Sequence, residues 1–110
     1  MDRKKELLMK YRQRKREMGV YLFECTEGGR YIGRADDPKS AINKNVFQLK
    51  MRCHPNKHLQ KEWSERGEAA FSVRVLDSLE YDEETKAECA EELAMLFDDW
   101  MLKLKNAEVV

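Results

Sequence analysis

The sequence predicts a small α/β domain, of the α+β kind, in which an antiparallel or mixed sheet carries helices on its faces. Three observations predict it. Val20–Cys25 and Arg30–Arg34 are short runs rich in β-branched and aromatic residues, separated by Glu27-Gly28-Gly29, and together they read as a hairpin. Phe71–Leu76, "FSVRVL", alternates apolar and polar residues, as a strand with one buried face does. The intervening stretches carry apolar residues at helical spacing. A sheet whose first two strands form a hairpin is not parallel throughout, so its helices pack on its faces.

In chain order, "DRKKELLMKYRQRKRE", residues 2–17, predicts a basic N-terminal helix with Asp2 as cap, a narrow stripe of Leu7, Leu8 and Tyr11, and Gly19 as its stop. The body then spans residues 18–110. In the hairpin turn, Gly28-Gly29 is expected to supply positive φ. Asp37-Pro38 predicts the next helix start, with Asp37 at the N-cap and Pro38 in the first turn. Ile42, Val46 and Leu49 form that helix's buried face. Cys53-His54-Pro55 interrupts it. Asn56 starts another helix, anchored by Leu59 and Trp63 and ended by Gly67. The strand Phe71–Leu76 follows. Asp82 is expected to cap a long last helix whose core stripe is Cys89, Leu93, Leu96, Trp100 and Leu104.

The composition narrows the function classes. The 110 residues suffice for one domain. No apolar run approaches the roughly 20 residues of a membrane span. A basic N-terminus without an apolar stretch, and three widely spaced cysteines, predict a cytoplasmic protein without a disulfide framework. Cys53, His54 and His58 lack the Cys-x-x-Cys partner that a structural zinc site needs. The net charge is zero but divided: residues 1–18 carry +5, residues 19–76 carry +3 and residues 77–110 carry −8. The basic part suits a phosphate-bearing partner, DNA or RNA, bound in a salt-dependent and largely non-specific way. Arg12, Arg14, Lys57 and Lys61 are the candidate contacts.

Gly19-Val20-Tyr21 followed by Tyr31-Ile32-Gly33 resembles the signature of the GIY-YIG nuclease superfamily. The likeness continues through "HPNKHLQKEWSERGEAAFSVRVLD", His54–Asp77, and a closing helix with Trp100 near its end. It implies a three-stranded antiparallel sheet flanked by helices, and it links the fold to phosphodiester cleavage with Mg²⁺ or Mn²⁺. In that family a tyrosine of each triplet lines the site, matching Tyr21 and Tyr31. An arginine on the following helix contacts phosphate, and a glutamate on the closing helix holds the metal.

This sequence departs from the pattern at both of those polar positions. The arginine falls at Ala41, with Lys44 and Arg34 as the available substitutes. The glutamate falls at Phe97, with Asp98 adjacent and Glu92 further back. The resemblance with these departures predicts a nucleic-acid-binding domain whose cleavage is weak or lost. An active metal-dependent endonuclease using Tyr21, Tyr31, Lys44 or Arg34, and Asp98 or Glu92 is the second reading. A protein-interaction module on the same fold is the third.

Overall fold

The apolar run Met18–Phe23 shows little alternation because its strand is covered on both sides. In the computed structural model, which describes residues 16–110, this run lies within β1 (Arg16–Cys25), and every residue from Met18 to Phe23 is buried. β2 (Arg30–Ala35) returns antiparallel, with Tyr21 opposite Gly33 and Phe23 opposite Tyr31. β3 (Phe71–Tyr81) pairs antiparallel with the other edge of β1. The short β4 (Glu108–Val109) runs parallel to β2, and Val110 N–H donates to the Ile32 carbonyl at 2.9 Å. The sheet order is β3-β1-β2-β4.

Alternation along β1 and β2 divides the core into two layers. Met18, Val20, Leu22 and Ile32 meet Leu93, Leu96, Phe97 and Trp100 of α3 (Lys86–Lys103) on one face. Tyr21, Phe23 and Tyr31 meet Leu49 of α1 (Pro38–Lys50), and Leu59 and Trp63 of α2 (Lys57–Arg66), on the other.

The helix starts follow local chemistry. Asp37 Oδ1 accepts from Ser40 N–H at 3.2 Å and Pro38 opens α1. Asn56 Oδ1 accepts from Leu59 N–H at 3.1 Å at the head of α2. Gly67, at φ 83°, ends α2 in a conformation that side chains disfavour.

Several boundaries differ from the sequence expectation. Arg16 and Glu17 belong to β1, not to a helix, because β3 continues to Tyr81 and offers them partners: Arg16 faces Tyr81 and Glu17 faces Glu80. The rest of the expected N-terminal helix lies outside the described residues. The sheet has a fourth, parallel strand, which makes it mixed. β3 runs past Leu76, its expected end, to Tyr81, with a register shift against β1 between Val20 and Tyr21. Asp82 does not cap α3 directly. Its carboxylate instead accepts from Thr85 N–H at 2.9 Å, one turn ahead of the helix. In the hairpin turn, Glu27 takes the positive φ, 63°, and neither glycine does. Gly29 is needed there for space, since a Cβ on it would come within 2.9 Å of both the Glu62 carboxylate and the Tyr31 hydroxyl. No helix among the described residues is long and apolar enough to cross a membrane.

Candidate functional site

The two signature tyrosines lie in the same layer but end on different helices. Tyr21 lies flat over Gly33, its cross-strand partner. A Cβ on Gly33 would fall on the Tyr21 ring carbon Cζ and the hydroxyl. That contact accounts for a glycine ending one triplet and a tyrosine ending the other. The Tyr21 hydroxyl accepts a hydrogen bond from Asn45 Nδ2 of α1 at 3.2 Å. The same amide nitrogen donates to the Ala41 carbonyl at 2.8 Å. Asn45 Oδ1 stands 2.6 Å from His54 Nε2. His54 Nδ1 accepts from Asn56 N–H at 3.0 Å.

These bonds fix the tautomer of His54. A backbone N–H only donates, so Nδ1 is the acceptor and a neutral ring carries its proton on Nε2, pointing at Asn45. Hydrogen bonds therefore run in one direction, from Asn56 through His54 and Asn45 to Tyr21, and leave the phenolic proton of Tyr21 free to point elsewhere. Burial pushes His54 below the usual histidine range and so favours the neutral ring that this chain requires. Burial pushes the Tyr21 phenol up, and the hydrogen bond from Asn45 only partly offsets it.

Tyr31 is held by a second cluster. Its hydroxyl donates to Glu62 Oε1 of α2 at 2.7 Å. Gly29 N–H donates to the same carboxylate, 3.1 Å from each oxygen. Burial and the adjacent carboxylate push the Tyr31 phenol far up. Partial burial raises Glu62, but the hydrogen bonds from Tyr31 and Gly29, with the nearby Cys25 thiol and the Arg66 charge, carry it below the usual carboxylate range. This cluster ties the hairpin turn to α2.

The face opposite the tyrosines carries different chemistry. Arg34, across from Val20, stacks its guanidinium on the Phe97 ring, 5.4 Å from the centroid. Trp100 Nε1 donates to Asp77 at 2.8 Å.

Solved structures share this architecture. The catalytic domain of the homing endonuclease I-TevI matches with a TM-score of 0.68 at 21% identity, over 84% of this chain and 97% of that domain. A mutant of the same domain matches with a TM-score of 0.67 at 20% identity, over 84% and 91%. The chain has the GIY-YIG fold. By sequence it matches no family model and no curated protein. The likeness is therefore one of architecture.

On this GIY-YIG framework the candidate residues fall into separate groups. Tyr21 and Tyr31 share the α1–α2 layer. Lys44 projects, exposed, from α1, next to Asn45, and Lys57 and Lys61 are exposed on α2. Arg34 lies on the α3 side, as do the exposed Asp98 and Glu92 of α3. Arg12 and Arg14 lie outside the described residues.

At the position where the resemblance implies a metal-holding glutamate, the donor set is a phenyl ring under a guanidinium. These groups do not fit a hard divalent cation, which takes anionic oxygen donors. Among the described residues no group of three or more His, Cys, Asp or Glu side chains gathers closely enough to hold a metal. Ala41, where the resemblance implies an arginine, packs its methyl group against the Tyr21 layer, and its carbonyl accepts from Asn45.

Asn45 was not singled out by sequence reasoning, and His54 was weighed only as a zinc ligand and as part of the helix break, not as a partner of the tyrosines. His54 lies in the interhelical break, where its polar ring looks like a surface residue. No sequence signal joined the two across that break; their meeting beside the first tyrosine is set by how α1 lies on the sheet. A cavity of about 580 Å³ opens at the hairpin turn, lined by Glu24, Arg30, Lys105 and Asn106 among others. Tyr21, Asn45 and His54 do not line it.

Proposed function

We propose that this domain binds nucleic acid on the side of the sheet covered by α1 and α2, with phosphodiester cleavage weak or lost. One observation carries the binding: the charge is divided across the sheet. Residues 38–61, which form α1 and open α2, contain six Lys or Arg and no Asp or Glu. On the other side, α3 contains five acids and two bases. A polyanion approaching this molecule meets attraction on one side and repulsion on the other. The GIY-YIG fold, shared with a domain named as an endonuclease, makes nucleic acid the fitting polyanion.

The chemistry supports weak cleavage. Burial raises both phenols, so at neutral pH even less of either tyrosine is ionised than of a free phenol, and little phenolate is available to take a proton from water. The Tyr31 proton is also committed to Glu62. A lost, preorganised phosphate-stabilising group costs about 3 kcal/mol, roughly a hundredfold in rate. Ala41 and Phe97 represent two such losses, which multiply only where they act independently.

The test has two parts. Titration of labelled duplex and single-stranded oligonucleotides at low salt should show binding that falls steeply as salt rises. Incubation with supercoiled plasmid and with structured RNA in Mg²⁺ or Mn²⁺ should show little or no cleavage. Cleavage abolished by both Tyr21→Phe and Asp98→Ala would overturn this reading and establish an active enzyme with a relocated metal ligand. Absence of binding at low salt would favour a protein partner.

A further inference from the structure

Phe47 is the one exposed phenylalanine, tyrosine or tryptophan among the described residues, with 64% of its surface accessible. It sits at the centre of the solvent side of α1. At 100° per residue, Ser40, Lys44, Phe47 and Met51 align along one line of that helix, opposite the buried Leu49. Met51, at the C-cap, is 62% exposed. The surroundings of these two apolar side chains are basic: Lys44 and Arg52 have no ion-pair partner among the described residues, and Lys50 has only a 3.8 Å contact with Glu68. No acid occurs from Pro38 to Lys61.

An exposed ring is unfavourable in water and does nothing for the core, which α1 reaches through Ile42, Val46 and Leu49. A ring set among unpaired cations has a fitting occupant: an anion that also carries flat apolar faces. Nucleotides have that chemistry. Bases in a duplex are already stacked on each other, whereas unpaired bases offer a free face to an aromatic ring.

Resting on the nucleic-acid reading above, we infer that α1 is a platform for unpaired nucleotides. Phe47 stacks on a base, Met51 extends the apolar surface, and Lys44 and its neighbouring cations hold the adjoining phosphates. The domain accordingly prefers single-stranded or splayed strands to intact duplex.

The test uses the full chain and two fluorescein-labelled probes, a (dT) oligonucleotide and a duplex of equal length, in anisotropy titrations over a series of salt concentrations. Wild type should bind the single strand more tightly. Phe47→Ala should weaken single-strand binding about 5- to 100-fold, with the salt slope unchanged and duplex binding little affected. Phe47→Trp should retain binding. Lys44→Ala should weaken both probes and lower the single-strand slope by about 0.7, the value for one phosphate contact. Circular dichroism checks that each variant folds.

The inference is overturned if Phe47→Ala binds the single strand within twofold of wild type, or if it weakens both probes equally. It is also overturned if wild type self-associates and Phe47→Ala does not, since the patch would then be a protein interface. If wild type binds neither probe, the nucleic-acid reading fails together with it.

Discussion

Asn45 joins Tyr21 to His54, so Asn45→Ala should damage the fold on the tyrosine side. Its amide makes three hydrogen bonds: to the Tyr21 hydroxyl at 3.2 Å, to the Ala41 carbonyl at 2.8 Å and to His54 Nε2 at 2.6 Å. His54 is 7% exposed and Tyr21 5% exposed, so water replaces the lost partners poorly. The Nε2–H of His54 is then a buried donor without an acceptor, at a cost of about 1–3 kcal/mol. Asn45 is only half-buried, and water entering from its outer side recovers part of that. The expected net loss is about 2 kcal/mol.

With a urea m-value of about 1.5 kcal/mol/M, the unfolding midpoint followed by tryptophan fluorescence should fall by about 1.3 M. The same geometry fixes a pH dependence. Protonated His54 would put a second N–H against Asn56 N–H, and burial already lowers its pKa in the folded state. The unfolded chain, with a histidine pKa of about 6.5, therefore binds the proton first. Stability should be full above about pH 6.5 and should drop as pH falls from there toward the lower folded-state value. His54→Gln should remove this drop. A loss under 0.5 kcal/mol in Asn45→Ala, or wild-type stability that is flat from pH 7.5 to pH 5, would refute the chain of hydrogen bonds from Asn56 to Tyr21.

Two further changes test the packing around the tyrosines. Gly33→Ala puts a methyl group on the Tyr21 ring and should cost about 1–3 kcal/mol by overpacking, and a Tm unchanged within error would show that Tyr21 does not lie over Gly33. Glu62 titrates below its ordinary range in the folded state, so its contribution is present above the unfolded glutamate pKa of about 4.3 and is lost as pH falls below that. Tyr31→Phe removes one of the bonds that depress it, and should cost about 1.5–3 kcal/mol at pH 7 and flatten the acid arm of the stability profile. An acid arm identical to wild type would count against the Tyr31–Glu62 bond.

The local chemistry of this chain determined much of its architecture. Asp37-Pro38 and Asn56 start helices wherever they stand, because a side-chain oxygen reaching a free N–H needs only the next three residues. The β-branched and aromatic runs around the two triplets and the alternation of Phe71–Val75 marked the strands by residue type and period. The division of charge between the segments before and after Asp77 was also legible. What only the tertiary structure decided is which groups meet. Strand β4 is two residues long and exists because β2 offers an open edge. Arg16 and Glu17 are strand because β3 runs far enough to pair with them. Asn45 becomes a partner of Tyr21 only once α1 lies on the sheet, and His54, nine positions on and beyond a helix end, reaches the tyrosine through Asn45. The pairing of Arg34 with Phe97 likewise joins residues 63 positions apart. Hydrogen bonds and ring contacts of this kind depend on side-chain positions to within an ångström or less, which sequence spacing does not specify across a turn, a bulge and a sheet.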